Sequence, residues 1–271
     1  MNIIEYRREV YDLNISNICV IGEDDRMDYV ALKLYTLGFD VYREERYINN
    51  KSMIVLSPPA NEAMTRRIIP YLEYGQILYS GAMSNRLKHQ CELMKIEYVD
   101  YLMIDELTTI NAKLTAKGII KNAIKNNAVL EKSNCLVTGF GFCGKAIAEL
   151  LTNDKIDANV DVMVRRRELK PVIENAGFGF VDMNDTSVNF EKYSYVFNTV
   201  PALIINDTMI DKLSKNVMIF DIASGEGGVD FKYCEEKDIF AIQCLGIPGK
   251  EYPQEAGNAI ADTIINDINL K

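Results

Sequence analysis

The chain has 271 residues, which at roughly 150 residues per domain is room for two domains. Hydrophobic residues make up 48% and charged residues 25%, ordinary for a chain that buries a core without disulfide or metal staples. The 39 acids exceed the 30 bases for a net charge of -9, which weighs against a basic face that grips nucleic acid or anionic lipid.

No apolar run approaches the roughly 20 residues that a membrane span needs. Charged residues at 5, 7, 8 and 9 have no continuous apolar stretch behind them, so no secretory leader is expected. The cysteines stand at 19, 91, 135, 143, 234 and 244 with no CxxC pair, several inside apolar runs. They read as small buried hydrophobes in a reducing, cytoplasmic setting, not as a disulfide framework or a zinc site. The single histidine, His89, lies in a charged stretch and reads as a surface residue; no His-based metal site or Ser-His-Asp triad is available.

In chain order, short apolar runs alternate with amphipathic stretches, the pattern of βαβ units and parallel sheets. Residues 3–12 read as a short leading helix. Strands are expected at 18–21, 39–42, 53–56, 76–79 and 97–101, with helices over 26–37, 61–74 and 86–94. Five strands with crossover helices make a flavodoxin-like, substrate-side domain over 1–108. A long linking helix is expected at about 109–127 in a linker segment 109–130, with Ile110, Leu114, Ile119, Ala123 and Ile124 along it and Gly118 inside it.

The second half reads as a Rossmann domain over 131–255. Strands are expected at 135–138, 158–164, 179–181, 195–197, 217–220 and 239–243, and helices at 145–151, 207–214 and 231–237. Gly246-Ile247-Pro248-Gly249 reads as a turn, and 256–269 as a closing helix, which in such layouts packs back on the first domain. The fold class is therefore α/β, two doubly wound parallel-sheet domains joined by a long helix.

The segment that carries chemistry is Gly139-Phe140-Gly141-Phe142-Cys143-Gly144, directly after a strand and opening a helix. Gly139 permits the tight turn, Gly141 lets a pyrophosphate approach the backbone, and Gly144 lets helix pack on sheet, while the helix N-terminus holds the anion. Phe142 and Cys143 join the cofactor set by position. A glycine-rich turn without a ligand is the alternative. At the end of the next strand, where NAD sites carry an acid, this chain has Val164-Arg165-Arg166-Arg167 and no acid before Glu168. Arg165 and Arg166 are suited to the 2′-phosphate of NADP, so NADP is the expected cofactor; a solvated basic turn is the alternative.

Ligands of this fold lie beyond the carboxyl ends of the strands. That places Asn198-Thr199-Val200-Pro201, Asp221-Ile222-Ala223-Ser224 and Gly246-Ile247-Pro248-Gly249 near the nicotinamide, with Thr199, Val200, Pro201 and Ala223 on the cofactor and Ser224, Gly246 and Pro248 toward substrate. Plain turn chemistry explains the same residues equally well. Substrate contacts from the first domain are expected from Arg26, which suits a carboxylate, from Ser80, Gly81, Ser84 and Asn85, and from Asn111 and Thr115 on the linking helix. No catalytic residue is identified; Asp221 and Ser224 are the candidates for a proton acceptor, with strand-end capping as their alternative.

These segments together resemble the A subunit of dipicolinate synthase, the NADP-linked Rossmann component of a spore-forming pathway, over nearly the whole chain from about residue 17. The resemblance rests on Ile21-Gly22-Glu23-Asp24-Asp25-Arg26, Ser80-Gly81 with Ser84-Asn85, Asn111 with Thr115 and Gly118, and the glycine loop. It continues through Asn198-Thr199-Val200-Pro201 and Asp221-Ile222-Ala223-Ser224 to Gly227-Gly228-Val229-Asp230-Phe231. Gly246-Ile247-Pro248-Gly249 and Pro253 with Ala256-Gly257 complete it. The Ala-Ser…Gly-Gly-x-Asp-Phe and Gly-x-Pro-Gly…Ala-Gly segments are the specific ones.

The resemblance implies NADP-dependent oxidation of a dihydro- or hydroxytetrahydro-dipicolinate precursor to pyridine-2,6-dicarboxylate, in partnership with a flavoprotein-like B subunit. The chain departs from the family at Lys117 where a Glu is usual, at Phe142 where an Arg is usual, and at Gly225-Glu226 where Arg-Pro is usual. A dicarboxylate needs cations, and position 225 has lost one while Glu226 adds an anion; Lys117 is the replacement charge to consider. Two other readings stand beside this one: an NADP-dependent dehydrogenase of another small carboxylate, and a non-catalytic nucleotide-binding regulatory protein. A homo-oligomer is compatible with each; no metal, membrane or nucleic acid is expected as a partner.

Overall fold

The computed structural model describes residues 16–225 and 227–269, so the helix expected at 3–12 and the departure at Glu226 lie outside the described residues. The chain divides into two compact units, one running to Asn111 and resuming at Pro248, the other covering Ala112–Ile247. Each is built on an all-parallel sheet with flanking helices, the α/β class that the alternation predicts.

In the first unit, β1 (Asn17–Ile21), β2 (Asp40–Tyr42), β3 (Met53–Leu56), β4 (Ile77–Ser80) and β5 (Glu97–Asp100) stand in the order β2-β1-β3-β4-β5, a flavodoxin-like arrangement. The strands are apolar throughout because both faces are covered. Ile18, Val20, Met53, Val55 and Tyr79 turn to one core with Met27, Val30, Leu34, Ile260 and Ile264, while Cys19, Ile21, Ile54, Leu56 and Leu78 turn to the other with Ile68, Leu87 and Cys91. The first core is closed by the helices Arg26–Thr36 and Pro253–Asn269, which pack together within this unit. Their close approach depends on Gly257: a Cβ there would meet Arg26 O at 2.4 Å and Tyr29 Cβ at 2.8 Å. The same unit ties strand to helix where the Tyr79 hydroxyl donates to Asp267 Oδ2 at 2.6 Å.

In the second unit, β6 (Asn134–Thr138), β7 (Asn159–Val164), β8 (Gly179–Asp182), β9 (Tyr195–Asn198), β10 (Met218–Asp221) and β11 (Phe240–Gln243) stand in the order β11-β10-β9-β6-β7-β8. Numbered within the unit this is the Rossmann order, and it reverses between β6 and β9, where such sheets bind ligands. The helix Asp105–Lys125 carries the chain from one unit into the next, with the division at 111/112. It starts four residues before the expected 109 because Asp105 and Glu106 suit its positive first turn.

Two local readings are corrected. The helix expected from 145 begins at Phe142, so the second half of the glycine loop is already its first turn. The expected turn 246–249 is instead entry to a helix, Ile247–Glu251: Gly246, at φ +71, turns the chain, and Pro248 sits in the first helical turn, where its missing N–H costs nothing. No helix among the described residues is long and apolar enough to cross a membrane, and none of their His, Cys, Asp and Glu groups gathers to hold a metal ion.

Candidate functional site

The glycine loop follows β6 and the three glycines do three different things. Gly139 has φ +86, and a Cβ on it would lie 2.6 Å from Thr199 Oγ1 and 3.0 Å from Val200 Cγ2, so the turn and the neighbouring β9 loop need glycine here. Gly141 is extended (φ -80, ψ -170), caps the helix Phe142–Leu151, and has nothing within 4 Å of where a Cβ would stand. Gly144 packs so closely that a Cβ would meet Gly139 O at 2.2 Å. The result is a ten-residue helix whose first amides have no side-chain cap and face open space at Gly141, an arrangement suited to an anion. Phe142 is exposed at the first helical position. Cys143 is half-buried; burial pushes its thiol up, opposed by a hydrogen bond with the Thr115 hydroxyl. Thr115, expected at the substrate, is thus buried against the cofactor loop.

Beside the loop lies a cavity of about 390 Å³. Met163, Leu169, Val200 and Ile204 give it apolar walls, and Arg165 and Arg166 stand exposed in its lining. Neither arginine has an ion-pair partner among the described residues, whereas Arg167 is paired with Asp182 at the end of β8. The Asp182 carboxyl is held below the usual range, first by the Asn184 backbone N–H; burial opposes this, and the hydrogen bond and charge of Arg167 help to outweigh it. Of three consecutive arginines, then, two remain available to a ligand in the cavity.

The ends of β6, β9 and β10 are joined by buried polar side chains. Asn198, with no exposed surface, accepts at Oδ1 from the Thr138 hydroxyl and from Val200 N (3.2 Å). Its Nδ2 donates to Val200 O (3.2 Å) and to Asp221 Oδ1 (2.7 Å). Asp221, equally buried, also accepts from Ala223 N at 2.9 Å and from Gly228 N at 3.1 Å. Thr199 donates its hydroxyl to Thr138 O at 2.7 Å. Gly228 fits only as glycine, since a Cβ would meet Asn198 Nδ2 at 2.2 Å and Val200 O at 2.4 Å. Asp230 then caps the next helix by accepting from Tyr233 N at 2.9 Å. The Asp-Ile-Ala-Ser…Gly-Gly-x-Asp-Phe segment is therefore one folded loop anchored on its own first aspartate.

The remaining candidates divide clearly. In the second unit Pro201 and Ser224 are exposed, Ala223 is buried, and Gly225 is exposed at φ +75 with open space around it. Lys117 lies in a separate cavity of about 270 Å³ with Lys113, Ala146, Glu149 and Asn153. Gly246 is exposed at its turn.

In the first unit, Arg26 is held by Asp24 through Nε–Oδ1 (2.8 Å) and Nη2–Oδ2 (2.6 Å), its side chain only 13% exposed. A Cβ on Gly249 would come within 3.0 Å of Arg26 Nε, so at Gly249 the chain lies over that guanidinium. Burial alone would raise the Asp24 carboxyl, but the hydrogen bonds and charge of Arg26 outweigh it and hold the carboxyl below the usual range. Ser80 is fully buried, its hydroxyl without a hydrogen-bond partner among the described residues. The space before Gly81 is filled by Tyr101, Pro58 and Leu102. Ser84 caps the helix Asn85–Met94 by accepting from Leu87 N at 3.1 Å. Asn85 is exposed, while Asn111 and Pro248 are half-buried. His89 is exposed, 3.9 Å from Glu92.

Sequence reasoning missed Thr138 and Gly228 as parts of the buried network, and the apolar walls Met163, Leu169 and Ile204. The available signal was a polar residue closing each central apolar strand: Thr138 on β6, Asn198 on β9, Asp221 on β10.

No protein-family model matches the chain. It is 28% identical over 189 residues to the dipicolinate synthase A subunit of Bacillus subtilis (strain 168); the match spans 69% of this chain and 63% of that relative, less than two thirds of the relative's length. The crystal structure of the dipicolinate synthase A subunit from Bacillus halodurans has a TM-score of 0.81 at 21% identity, covering 93% of this chain and 97% of that one. Its Bacillus subtilis counterpart has a TM-score of 0.81 at 23% identity, covering 94% and 97%. D-Lactate dehydrogenase from Escherichia coli shares the fold with a TM-score of 0.65 at 12% identity, covering 94% and 96%. In sequence and in fold, the chain is similar to the A subunit of dipicolinate synthase, the likeness that its motifs carry.

Proposed function

We propose that the chain is an NADP-linked oxidoreductase of the cytoplasm, acting as the A subunit of dipicolinate synthase does on a precursor of pyridine-2,6-dicarboxylate, together with a B subunit. The observation that carries the reading is the conjunction in one unit of the Gly139-Gly141-Gly144 loop with a cavity lined by two unpaired arginines, Arg165 and Arg166. The open approach at Gly141 and the uncapped helix start suit a pyrophosphate. The apolar walls suit an adenine ring, and a second anion at Arg165 and Arg166 is what NADP has and NAD lacks.

A bound oxidised nicotinamide would supply a hydride acceptor, so that a dihydropyridine dicarboxylate giving up a hydride and a proton would become aromatic. The chain's own task is then to bind and orient. Asp221 is engaged by three hydrogen-bond donors and has no exposed surface, which favours a positioning role for it; Ser224 stays on the exposed loop. Arg26 holds a carboxylate already, that of Asp24.

A second reading, the same hydride chemistry on another small carboxylate, is favoured by one feature. The loop Ala223-Ser224-Gly225 carries no cation, and Lys117 lies in its own cavity with Glu149.

Thermal stabilisation by NADP, by NAD and by neither, each with and without pyridine-2,6-dicarboxylate, tests both, since a ligand of the native state raises the melting temperature by mass action. A rise with NADP and a further rise with the dicarboxylate supports the first reading. A rise with NADP alone supports the second. No rise with either nucleotide rejects both.

A further inference from the structure

We infer that Asp221 is a positioning residue for the nucleotide: through Asn198 it fixes the Val200 rim of the cavity and ties that rim to the loop 222–228. The inference rests on the nucleotide reading above and adds to it the residues that hold the rim. An asparagine amide offers two acceptor positions on its oxygen and two N–H donors. Asn198 uses all four: Thr138 Oγ1 and Val200 N on Oδ1, Val200 O and Asp221 Oδ1 on Nδ2. Turned over, the amide would set its NH₂ against the Val200 N–H and its oxygen against the Asp221 carboxylate. Asp221 therefore reinforces the one orientation of Asn198 in which it grips Val200 by both its N–H and its C=O.

Val200 lines the cavity and lies against Gly139 of the glycine loop, where a Cβ on 139 would be 3.0 Å from Val200 Cγ2. Asp221 Oδ1, which accepts from Asn198, also accepts from the Ala223 amide, and Oδ2 accepts from the Gly228 amide, so one carboxylate ties the rim to the loop that carries Ser224 and Gly225. Only a carboxylate can do this. All three groups facing it are donors, and an amide in its place would set an NH₂ against at least one of them, leaving a buried donor unsatisfied.

The experiment measures NADP affinity by titration calorimetry, melting temperature, and amide hydrogen exchange at Val200 and Gly228, for the wild type, Asp221→Asn, Thr138→Val and Val217→Ala. Val217 is buried in the core of the same unit outside the network and serves as the stability control. Asp221→Asn is expected to weaken NADP binding at least tenfold and to speed exchange at Val200, which it does not itself touch. Thr138→Val, which removes the hydroxyl that donates to Asn198 and accepts from Thr199 N, is expected to weaken binding several-fold and serves if Asp221→Asn does not fold. Val217→Ala is expected to lower the melting temperature and leave NADP affinity within twofold. Wild-type binding with unchanged affinity and unchanged Val200 exchange in both network variants overturns the inference alone. So does an equal loss of affinity in the control. A wild type that binds no nucleotide overturns the nucleotide reading, and this inference with it.

Discussion

Gly144 rests on the carbonyl of Gly139, so that a methyl group on 144 would stand 2.2 Å from that oxygen, while the space before Gly141 between them is open. Two substitutions in one loop should therefore fail differently. Gly144→Ala forces backbone apart and should cost about 1–3 kcal/mol of stability, the range for overpacking. Gly141→Ala, at φ -80, meets no neighbour and should leave the melting temperature of the nucleotide-free protein unchanged. It should still weaken nucleotide binding tenfold or more, because the methyl group occupies the approach of the pyrophosphate. Paired thermal melts and binding titrations check this; a Gly141→Ala protein that binds like the wild type would count against the phosphate-loop assignment.

The contact of Gly257 with the backbone of Arg26 and the side chain of Tyr29 makes a second substitution informative. Alanine is the better helix former by about 1 kcal/mol, so propensity alone predicts that Gly257→Ala stabilises. The packing predicts the opposite sign, a net loss of roughly 1–3 kcal/mol in denaturant unfolding.

Stability should fall on the alkaline side. Burial pushes the thiols of Cys91, Cys135 and Cys234 from 9.0 up to about 11 and that of Cys19 up to about 12. Burial raises the Tyr79, Tyr101 and Tyr193 hydroxyls above their ordinary 10.0, with Asp267 and Asp161 adding to the effect at Tyr79 and Tyr193. For groups whose folded value is raised, the stabilisation is complete below the unfolded value and is lost as pH rises toward the folded one. The denaturant midpoint should hold steady to about pH 8.5 and fall progressively through pH 9–11 as the unfolded thiols and then phenols ionise. A midpoint that is flat over that window would contradict the burial of these groups.

Much of this was legible in the sequence because the physics is local. Apolar runs of four or five residues bounded by glycine marked the strands, and a strand, glycine loop and helix in succession marked the candidate nucleotide site. The turn predicted at 246–249 became a helix because Pro248 suits a first helical turn as well as a bend. The roles of Asp221 and Gly257 depend on residues far away in the chain or on close packing: Asp221 faces Asn198, Gly257 faces Arg26. Spacing alone shows a polar or small residue at a strand or helix end and leaves open whether it meets a ligand or its own backbone. Arg26 is the sharpest case, since its charge suggested a substrate carboxylate and its partner is Asp24, two residues earlier.

The central claim is a nucleotide site whose arginines choose NADP, and the most direct test is titration calorimetry of NADP and NAD against the wild type and Arg165→Ala. A charge-assisted contact of about 1.5–3 kcal/mol corresponds to a roughly 10- to 150-fold effect. The account predicts that the wild type prefers NADP by at least tenfold, and that Arg165→Ala loses most of that preference while its NAD affinity stays within about twofold of the wild type. Equal affinity of the wild type for the two nucleotides, unchanged by the substitution, would contradict it.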